Sequence, residues 1–138
     1  MKKLIAIFIC FFLVVGCYSN NANNDSNSAD SNNTSVQDYS IIDAVSAHDI
    51  IENEDVVIID VRSKNEYNTG YIENAINIPV DSIQYKIENI VSDKNKKILL
   101  YCRSGARAQE AAKKLASLGY SNVYSFGGIV DWPYEIVN

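Results

Sequence analysis

Histidine and cysteine are scarce in this chain of 138 residues, which contains one histidine, His48, and three cysteines. Cys10 and Cys17 lie in the first 17 residues, so only Cys102 remains for the body of the chain. A structural zinc site usually needs four cysteine or histidine ligands, and the sequence offers too few. We therefore predict no metal and no cofactor. His48 lies in a helical pattern and is expected to be a polar surface residue rather than a catalytic base.

The longest apolar run lies at the N-terminus and is too short for an ordinary transmembrane helix. Lys2 and Lys3 precede an apolar run over residues 4–15, and asparagine- and serine-rich sequence follows at once. This order is typical of an export signal. Val14-Val15-Gly16-Cys17 resembles the lipobox of bacterial lipoproteins, which implies cleavage before Cys17 and its lipidation by acyl chains such as palmitate. A plain secretory signal and an uncleaved anchor are the alternatives.

Large apolar side chains are almost absent from residues 18–40, which are rich in asparagine, serine and aspartate. Such a segment cannot bury enough apolar surface to offset the entropy lost on ordering. We predict a signal peptide at 1–16, lipidated Cys17 with a disordered tether at 17–40, and one folded domain at 41–138. The lipid would anchor the protein to a membrane of the cell envelope, facing the periplasm or the cell exterior.

Basic residues are few: the chain has 12 lysines and arginines and 17 acidic residues, which gives a net charge of −5. Loss of the signal would remove Lys2 and Lys3 and no acidic residue, leaving ten against 17 and a net charge of −7. So acidic a surface repels phosphate backbones, and we predict no nucleic-acid partner. An anionic substrate would have to be captured by local positive charge.

The candidates for that local charge flank Cys102, in the stretch Tyr101-Cys102-Arg103-Ser104-Gly105-Ala106-Arg107-Ala108. A strand-like apolar run leads into this stretch and a helical pattern leads out, so the loop should sit at a helix N-terminus. Unpaired amides and the positive end of the helix dipole stabilise a thiolate there, and the two arginines add charge. Gly105 permits a tight turn. The pattern predicts a cradle for an anion with a nucleophilic sulfur at its base, the alternative being an inert buried cysteine.

The loop resembles the active loop of the rhodanese-like sulfurtransferases, and three other stretches agree with that family in order and spacing. The four segments are Cys102–Arg107, Asp60–Arg62 with Glu66-Tyr67, Gly70–Pro79, and Gly127-Gly128 with Trp132. Tyr71 and Asn74 depart from the family, which often has histidine and glycine there. The resemblance covers roughly residues 40–138 and implies a single rhodanese-like domain.

This resemblance implies transfer of sulfane sulfur. The Cys102 thiolate would attack the outer sulfur of an anionic donor such as thiosulfate, sulfite would leave, and the persulfide would pass its sulfur to cyanide or a thiol. The substrate-binding residues would lie in the loop, acting through guanidinium groups and backbone amides. They are Arg103, Ser104, Gly105, Ala106 and Arg107. Arg107 could instead form a salt bridge with an acidic residue and hold the shape of the loop.

Asp60, Arg62 and Glu66 are expected near the site, in structural roles. Arg62 and Glu66 are four residues apart and could pair across a helix start. Such a pair would clamp the loop. The alternative makes Arg62 a second ligand for the anion.

Three other functions remain open. Cysteine phosphatases and arsenate reductases also use cysteine and arginine around an oxyanion, but tyrosine-phosphatase-like loops place five residues between them, and four separate Cys102 from Arg107. A non-catalytic module could bind a protein partner through the same loop. A redox role or a persulfide relay would need a partner thiol, because residues 41–138 contain no second cysteine.

Strand patterns alternate with helical patterns along residues 41–138, which predicts an α/β domain with a mainly parallel central sheet and helices on both faces. Asp55–Val61 and Lys97–Tyr101 are apolar on both faces, as central strands are. Shorter strands are expected at Ala75–Ile78 and Asn122–Ser125. Helices are expected at Ser63–Asn68, Asp81–Ser92 and Gly105–Leu118, with an earlier one capped by Ser46. Gly119 should form a left-handed C-cap, Gly127-Gly128 a turn, and Trp132 a core or rim contact.

Overall fold

The computed structural model of the protein describes residues 38–138. The predicted signal peptide, Cys17 and most of the predicted tether lie outside these residues. Tyr39 is already part of the core, and the first strand begins at Ser40, the last residue that composition assigns to the tether. None of the helices between residues 38 and 138 has the length and apolar character needed to span a bilayer.

A five-stranded sheet, parallel throughout, forms the centre of the domain. Its strands are β1 (Ser40–Ile41), β2 (Val57–Asp60), β3 (Ile76–Asn77), β4 (Ile98–Cys102) and β5 (Val123–Gly128). They lie in the order β1-β5-β4-β2-β3, so β4 is central. The predicted α/β class with a parallel sheet is confirmed.

The helices that connect these strands are α1 (Ala44–Asn53), α2 (Lys64–Tyr67), α3 (Ile83–Ile90) and α4 (Ala106–Ser117), with a 3₁₀ turn at Ile129–Asp131. Helix α4 follows its sequence pattern: Ala108, Ala111, Ala112 and Leu115, at steps of three and four, are fully buried. Gly119 ends it with φ +87°, as predicted. Element bounds agree with the predicted ones within a few residues.

Alternate residues of β4 point to two separate apolar clusters, one on each face of the sheet. Leu100 and Cys102 pack in a cluster with residues of α3 and α4, whereas Leu99 and Tyr101 pack in a cluster with residues of α1. All five residues of β4 are buried. Helices therefore cover both faces, as a central parallel strand requires.

Two local predictions were wrong. Helix α1 is capped by Asp43, whose Oδ1 accepts a hydrogen bond from the backbone N–H of Ser46 at 2.7 Å. Asp43 is the N-cap because its backbone is extended, whereas Ser46 already lies in the first helical turn. Gly127 and Gly128 do not form a turn; they continue β5, and Gly128 pairs with Cys102 past an irregularity in the strand register.

Candidate active site

Cys102 ends the central strand, and its sulfur faces the start of α4. The Gly105 backbone N–H donates a hydrogen bond to Cys102 Sγ at 3.0 Å. Only 1% of the residue is exposed. The loop 103–105 therefore folds back over the thiol, and one of its backbone amides already donates a hydrogen bond to the sulfur.

Gly105 makes that hydrogen bond possible through its backbone conformation. Its φ of +107° lies in a region that residues with a Cβ rarely adopt. A Cβ there would also lie 3.4 Å from Gly127 Cα on β5. The glycine thus lets the chain reverse between strand and helix while its N–H stays directed at Cys102.

The end of β5 forms a backbone wall beneath the loop. A Cβ on Gly128 would lie 2.0 Å from Arg103 O and 2.6 Å from Ser104 Cα, distances that real Cβ atoms do not show. The Val130 N–H donates to Arg103 O at 3.3 Å. The Gly-Gly pair was visible in the sequence, but its role as the support of the active loop was not predicted.

The outer surface of the loop is open. Arg103, Ser104 and Ala106 are exposed and Arg107 is half-buried, whereas Gly105 is buried. Within residues 38–138, no carboxylate forms an ion pair with Arg103. The guanidinium group of Arg103 is therefore not engaged by a carboxylate when a ligand approaches the loop.

Arg107 is bound by an acidic residue, the alternative left open for it above. Arg107 Nη1 and Nη2 donate to Glu66 Oε2 and Oε1 at 2.7 and 2.8 Å, a two-pronged ion pair. These hydrogen bonds raise the pKa of Arg107, with a smaller contribution from the nearby Cys102, and they hold the pKa of Glu66 well below its ordinary value. The pair joins α2 to the first turn of α4.

Glu66 is itself held in place by the start of α2. Ser63 N and Ser63 Oγ donate to Glu66 Oε2 at 3.0 and 2.9 Å, and the Glu66 N–H donates to Ser63 Oγ at 3.3 Å. This reciprocal arrangement is a capping box. Glu66 is therefore positioned before it meets Arg107.

The predicted pair of Arg62 with Glu66 was wrong, because Arg62 precedes the helix that would have aligned them. Arg62 pairs with Asp60: its Nε lies 3.0 and 2.9 Å from the two carboxylate oxygens, and its Nη2 lies 2.6 Å from Oδ2. Arg62 Nη2 also donates to Gly70 O at 2.7 Å. Both side chains are buried, so Arg62 braces the 60–70 segment and has no free face for an anion.

Two further residues complete this brace and were not singled out from the sequence. Asn77 Nδ2 donates to Asp60 O and Arg62 O at 3.0 and 2.9 Å. Tyr101 OH accepts a hydrogen bond from the Ile72 N–H at 3.1 Å, and burial raises the pKa of Tyr101. The local sequence does not indicate a partner for either residue, so only the tertiary structure reveals what they do.

The other polar and aromatic candidates lie in packing positions. Among residues 38–138 no group of three or more possible metal ligands comes together. His48 is partly buried and stacks on Tyr134, with ring centroids 3.6 Å apart. Trp132 is half-buried, and its ring centroid lies 5.5 Å from that of Phe126; of the core and rim positions predicted for it, it takes the rim.

The sequence profile of the family described as Rhodanese-like domain matches residues 43–134. The chain belongs to this family. The rhodanese-like domain is similar in structure to a rhodanese with anions from E. coli, at 32% identity and a TM-score of 0.58 over 61% of this chain and 99% of that one. It is also similar to a rhodanese-related protein from Thermoplasma volcanium, at 32% identity and a TM-score of 0.63 over 72% of this chain and 98% of that one.

Curated relatives of the rhodanese-like domain carry the name tRNA uridine(34) hydroxylase. The protein from Erwinia tasmaniensis is 32% identical over 94 residues, which cover 64% of this chain and 27% of the relative. The protein from Buchnera aphidicola is 32% identical over 96 residues, which cover 66% and 31%. The chain thus spans between a quarter and a third of the length of these relatives.

Proposed function

We propose that this rhodanese-like protein is a sulfurtransferase that carries a sulfane sulfur on Cys102. The observation that supports this most directly is the hydrogen bond from the Gly105 N–H to Cys102 Sγ at the N-terminus of α4. A negatively charged sulfur gains more from an N–H donor and from the helix dipole than a neutral thiol does. A thiolate nucleophile needs no neighbouring general base.

The first step transfers one sulfur atom to the enzyme. The Cys102 thiolate attacks the outer sulfur of thiosulfate, an S–S bond forms at Cys102, and the S–S bond of the donor breaks. Sulfite leaves with the electron pair of that bond, and Cys102 becomes a persulfide anion. In the second step cyanide or a thiolate attacks the outer sulfur of the persulfide, and the Cys102 thiolate leaves.

The loop supplies the groups that this chemistry needs. Arg103 is exposed and without an ionic partner in the described chain, so it can bind the charged end of the donor. Ser104 can donate a hydrogen bond to the same oxygens, and loop amides can stabilise the persulfide sulfur. The almost complete burial of Cys102 favours a slim reacting group, such as the outer sulfur of thiosulfate, over a bulky one.

The name tRNA uridine(34) hydroxylase describes proteins of which this chain covers a quarter to a third. The acidic sequence gives RNA little electrostatic attraction. Sulfur transfer, with a small anionic donor and a thiol or cyanide as acceptor, is therefore the activity that we propose for the domain. We also propose that acylated Cys17 tethers it to a membrane of the cell envelope.

The test is the mass of the purified full chain after incubation with thiosulfate and then with cyanide. We expect a gain of one sulfur atom, which peptide mapping assigns to Cys102 and cyanide removes. Cys102→Ser should abolish the gain. Cys10→Ser is the matched control in the uncleaved full chain, because it also removes one cysteine and should leave the gain intact.

A folded protein with a free Cys102 thiol and no gain of sulfur would refute the proposal. Turnover of a phosphate ester or reduction of arsenate would then favour the phosphatase-like alternative. Absence of all three activities would favour a non-catalytic binding module.

A further inference from the structure

The net positive charge of the loop that follows Cys102 is smaller than its two arginines, Arg103 and Arg107, suggest. Glu66 forms a two-pronged ion pair with Arg107, at 2.7 and 2.8 Å, and each side chain keeps about a third of its surface exposed. The carboxylate cancels the guanidinium charge within the pair. Arg103 is left as the uncompensated cation of the loop.

The remaining arginine of the described chain does not add to this charge. Arg62 is 4% exposed, and Asp60 neutralises it. The described chain offers no other arginine, and Lys64, at the start of α2, directs its ammonium over the Tyr67 ring at 4.7 Å. A bound donor therefore meets Arg103 as the one arginine of the described chain that has no carboxylate partner.

Glu66 cannot easily turn away from Arg107. Ser63 donates two hydrogen bonds to the same carboxylate through N and Oγ. Arg107, for its part, still has N–H groups to spare, because a guanidinium has five and the pair uses two. The charge of Arg107 is thus balanced, although not all of its N–H donors are used by the pair.

We propose that Glu66 is a specificity-determining residue. By neutralising Arg107, it makes the site prefer singly charged sulfane-sulfur donors to doubly charged ones. This inference rests on the proposed sulfurtransferase function and names its substrate class. A pair of donors that differ by one negative charge but are otherwise similar in structure can test this preference. Thiosulfate carries two negative charges, and methanethiosulfonate replaces one charged oxygen by a methyl group.

Both donors run the same balanced reaction. With methanethiosulfonate the Cys102 thiolate attacks the outer sulfur, the S–S bond forms at Cys102, and the donor S–S bond breaks. Methanesulfinate leaves with the electron pair, as sulfite does from thiosulfate. The comparison therefore isolates the second charge of the donor.

The experiment measures kcat/KM of the full chain for both donors, with cyanide as acceptor, and takes the ratio of thiosulfate to methanethiosulfonate. Glu66→Gln should raise this ratio about three- to tenfold, as expected for one unmasked charge about 6 Å from the donor at an effective dielectric constant of 40–80. Added salt should shrink the gain. Because both donors meet the same folded fraction, the ratio is insensitive to partial unfolding.

Three variants sharpen the test. Arg107→Gln leaves Glu66 unbalanced and should lower the ratio, whereas the double variant Glu66→Gln/Arg107→Gln should return it near the wild-type value. Glu110→Gln removes the same charge from the outer face of α4, where Glu110 pairs with Lys114, and should leave the ratio unchanged.

An unchanged ratio in Glu66→Gln, or an equal loss of activity with both donors, would overturn the inference and leave Glu66 as a structural support. Failure of the wild-type protein to form a Cys102 persulfide with either donor would instead refute the proposed function.

Discussion

At the scale of single residues, the charges that are most deeply buried in the described domain belong to Asp60 and Arg62. Burying either charge alone would cost several kcal/mol of free energy. The buried pair is tolerated because Arg62 donates hydrogen bonds to the Asp60 carboxylate and to Gly70 O. The pair fixes the segment that follows β2. That segment carries Ser63 and Glu66, so a buried ion pair supports the site without touching it.

Asp60→Asn should therefore lower the free energy of unfolding by about 3–5 kcal/mol, because it leaves the Arg62 charge buried without a counterion. Denaturant titration measures the loss. The matched control is Asp55→Asn, two residues before the same strand begins, where Asp55 is exposed and pairs with Lys96. That variant should lose less than about 1 kcal/mol. Equal losses would contradict the argument from burial.

A second prediction at this scale concerns Gly128. Gly128→Ala should lower the free energy of unfolding by about 2–3 kcal/mol and abolish sulfur loading of Cys102, because the new Cβ collides with the backbone of Arg103. Gly119→Ala is the control: its φ of +87° is strained for alanine, but open space surrounds it. It should lose about 1–2 kcal/mol and keep its activity. A fully active Gly128→Ala protein would show that β5 does not support the loop.

At the scale of secondary-structure elements, the short helix α2 matters more than its four residues suggest. Its capping box positions Glu66, and Glu66 ties α2 to the first turn of α4 across 41 residues of sequence. Helix α4 in turn places the Gly105 amide against Cys102. The geometry of the cradle thus depends on both helices and on the ion pair that joins them.

This link predicts a pH dependence of stability. Arg107 holds the pKa of Glu66 below its ordinary value of 4.5, so the carboxylate stabilises the native state above that pH. The stabilisation should disappear as the pH falls below 4.5. Because the pair is partly exposed, we expect about 1 kcal/mol. Denaturant titrations at pH 7 and pH 3.5 should show a smaller acid loss for Glu66→Gln than for wild type, while Glu110→Gln should behave more like wild type.

At the scale of the whole molecule, the chain carries a net charge of −5, yet its proposed substrate is an anion. Long-range attraction cannot draw the donor in, so capture depends on the one uncompensated guanidinium and the amides of a small loop. The predicted lipid anchor would add a second whole-molecule property, because it would hold this acidic domain near a membrane surface.

The anchor is testable by fractionation of bacterial cells that express the full chain. We expect wild type in the membrane fraction, with the mass of a chain cleaved before Cys17 and acylated. Cys17→Ser should remain uncleaved or leave the membrane, and Cys10→Ser should behave as wild type because Cys10 would depart with the signal. An unacylated wild-type chain would contradict the lipoprotein prediction and favour a plain signal.

Much of the fold and the nucleophile's position follow from local sequence patterns. The runs around β2 and β4 predict central strands because residues apolar on both faces suit a sheet covered on both sides. The alanine and leucine spacing predicts α4, and the strand-loop-helix order predicts where Cys102 lies. Helix starts were less predictable: Asp43 and Ser46 are both good caps, and only the backbone geometry chooses Asp43.

By itself, then, the sequence determined the α/β class and a cysteine at the end of a central strand before a helix, because hydrophobic periodicity and turn chemistry act over a few residues. The family was indicated by the resemblance of four motifs, and the family match over residues 43–134 shows it. Only the tertiary structure decided that Arg62 pairs with Asp60, that Glu66 pairs with Arg107, and that Gly128 lies against the active loop. These partners depend on which strands become neighbours, and strand order brings together residues whose separation along the chain carries no local signal.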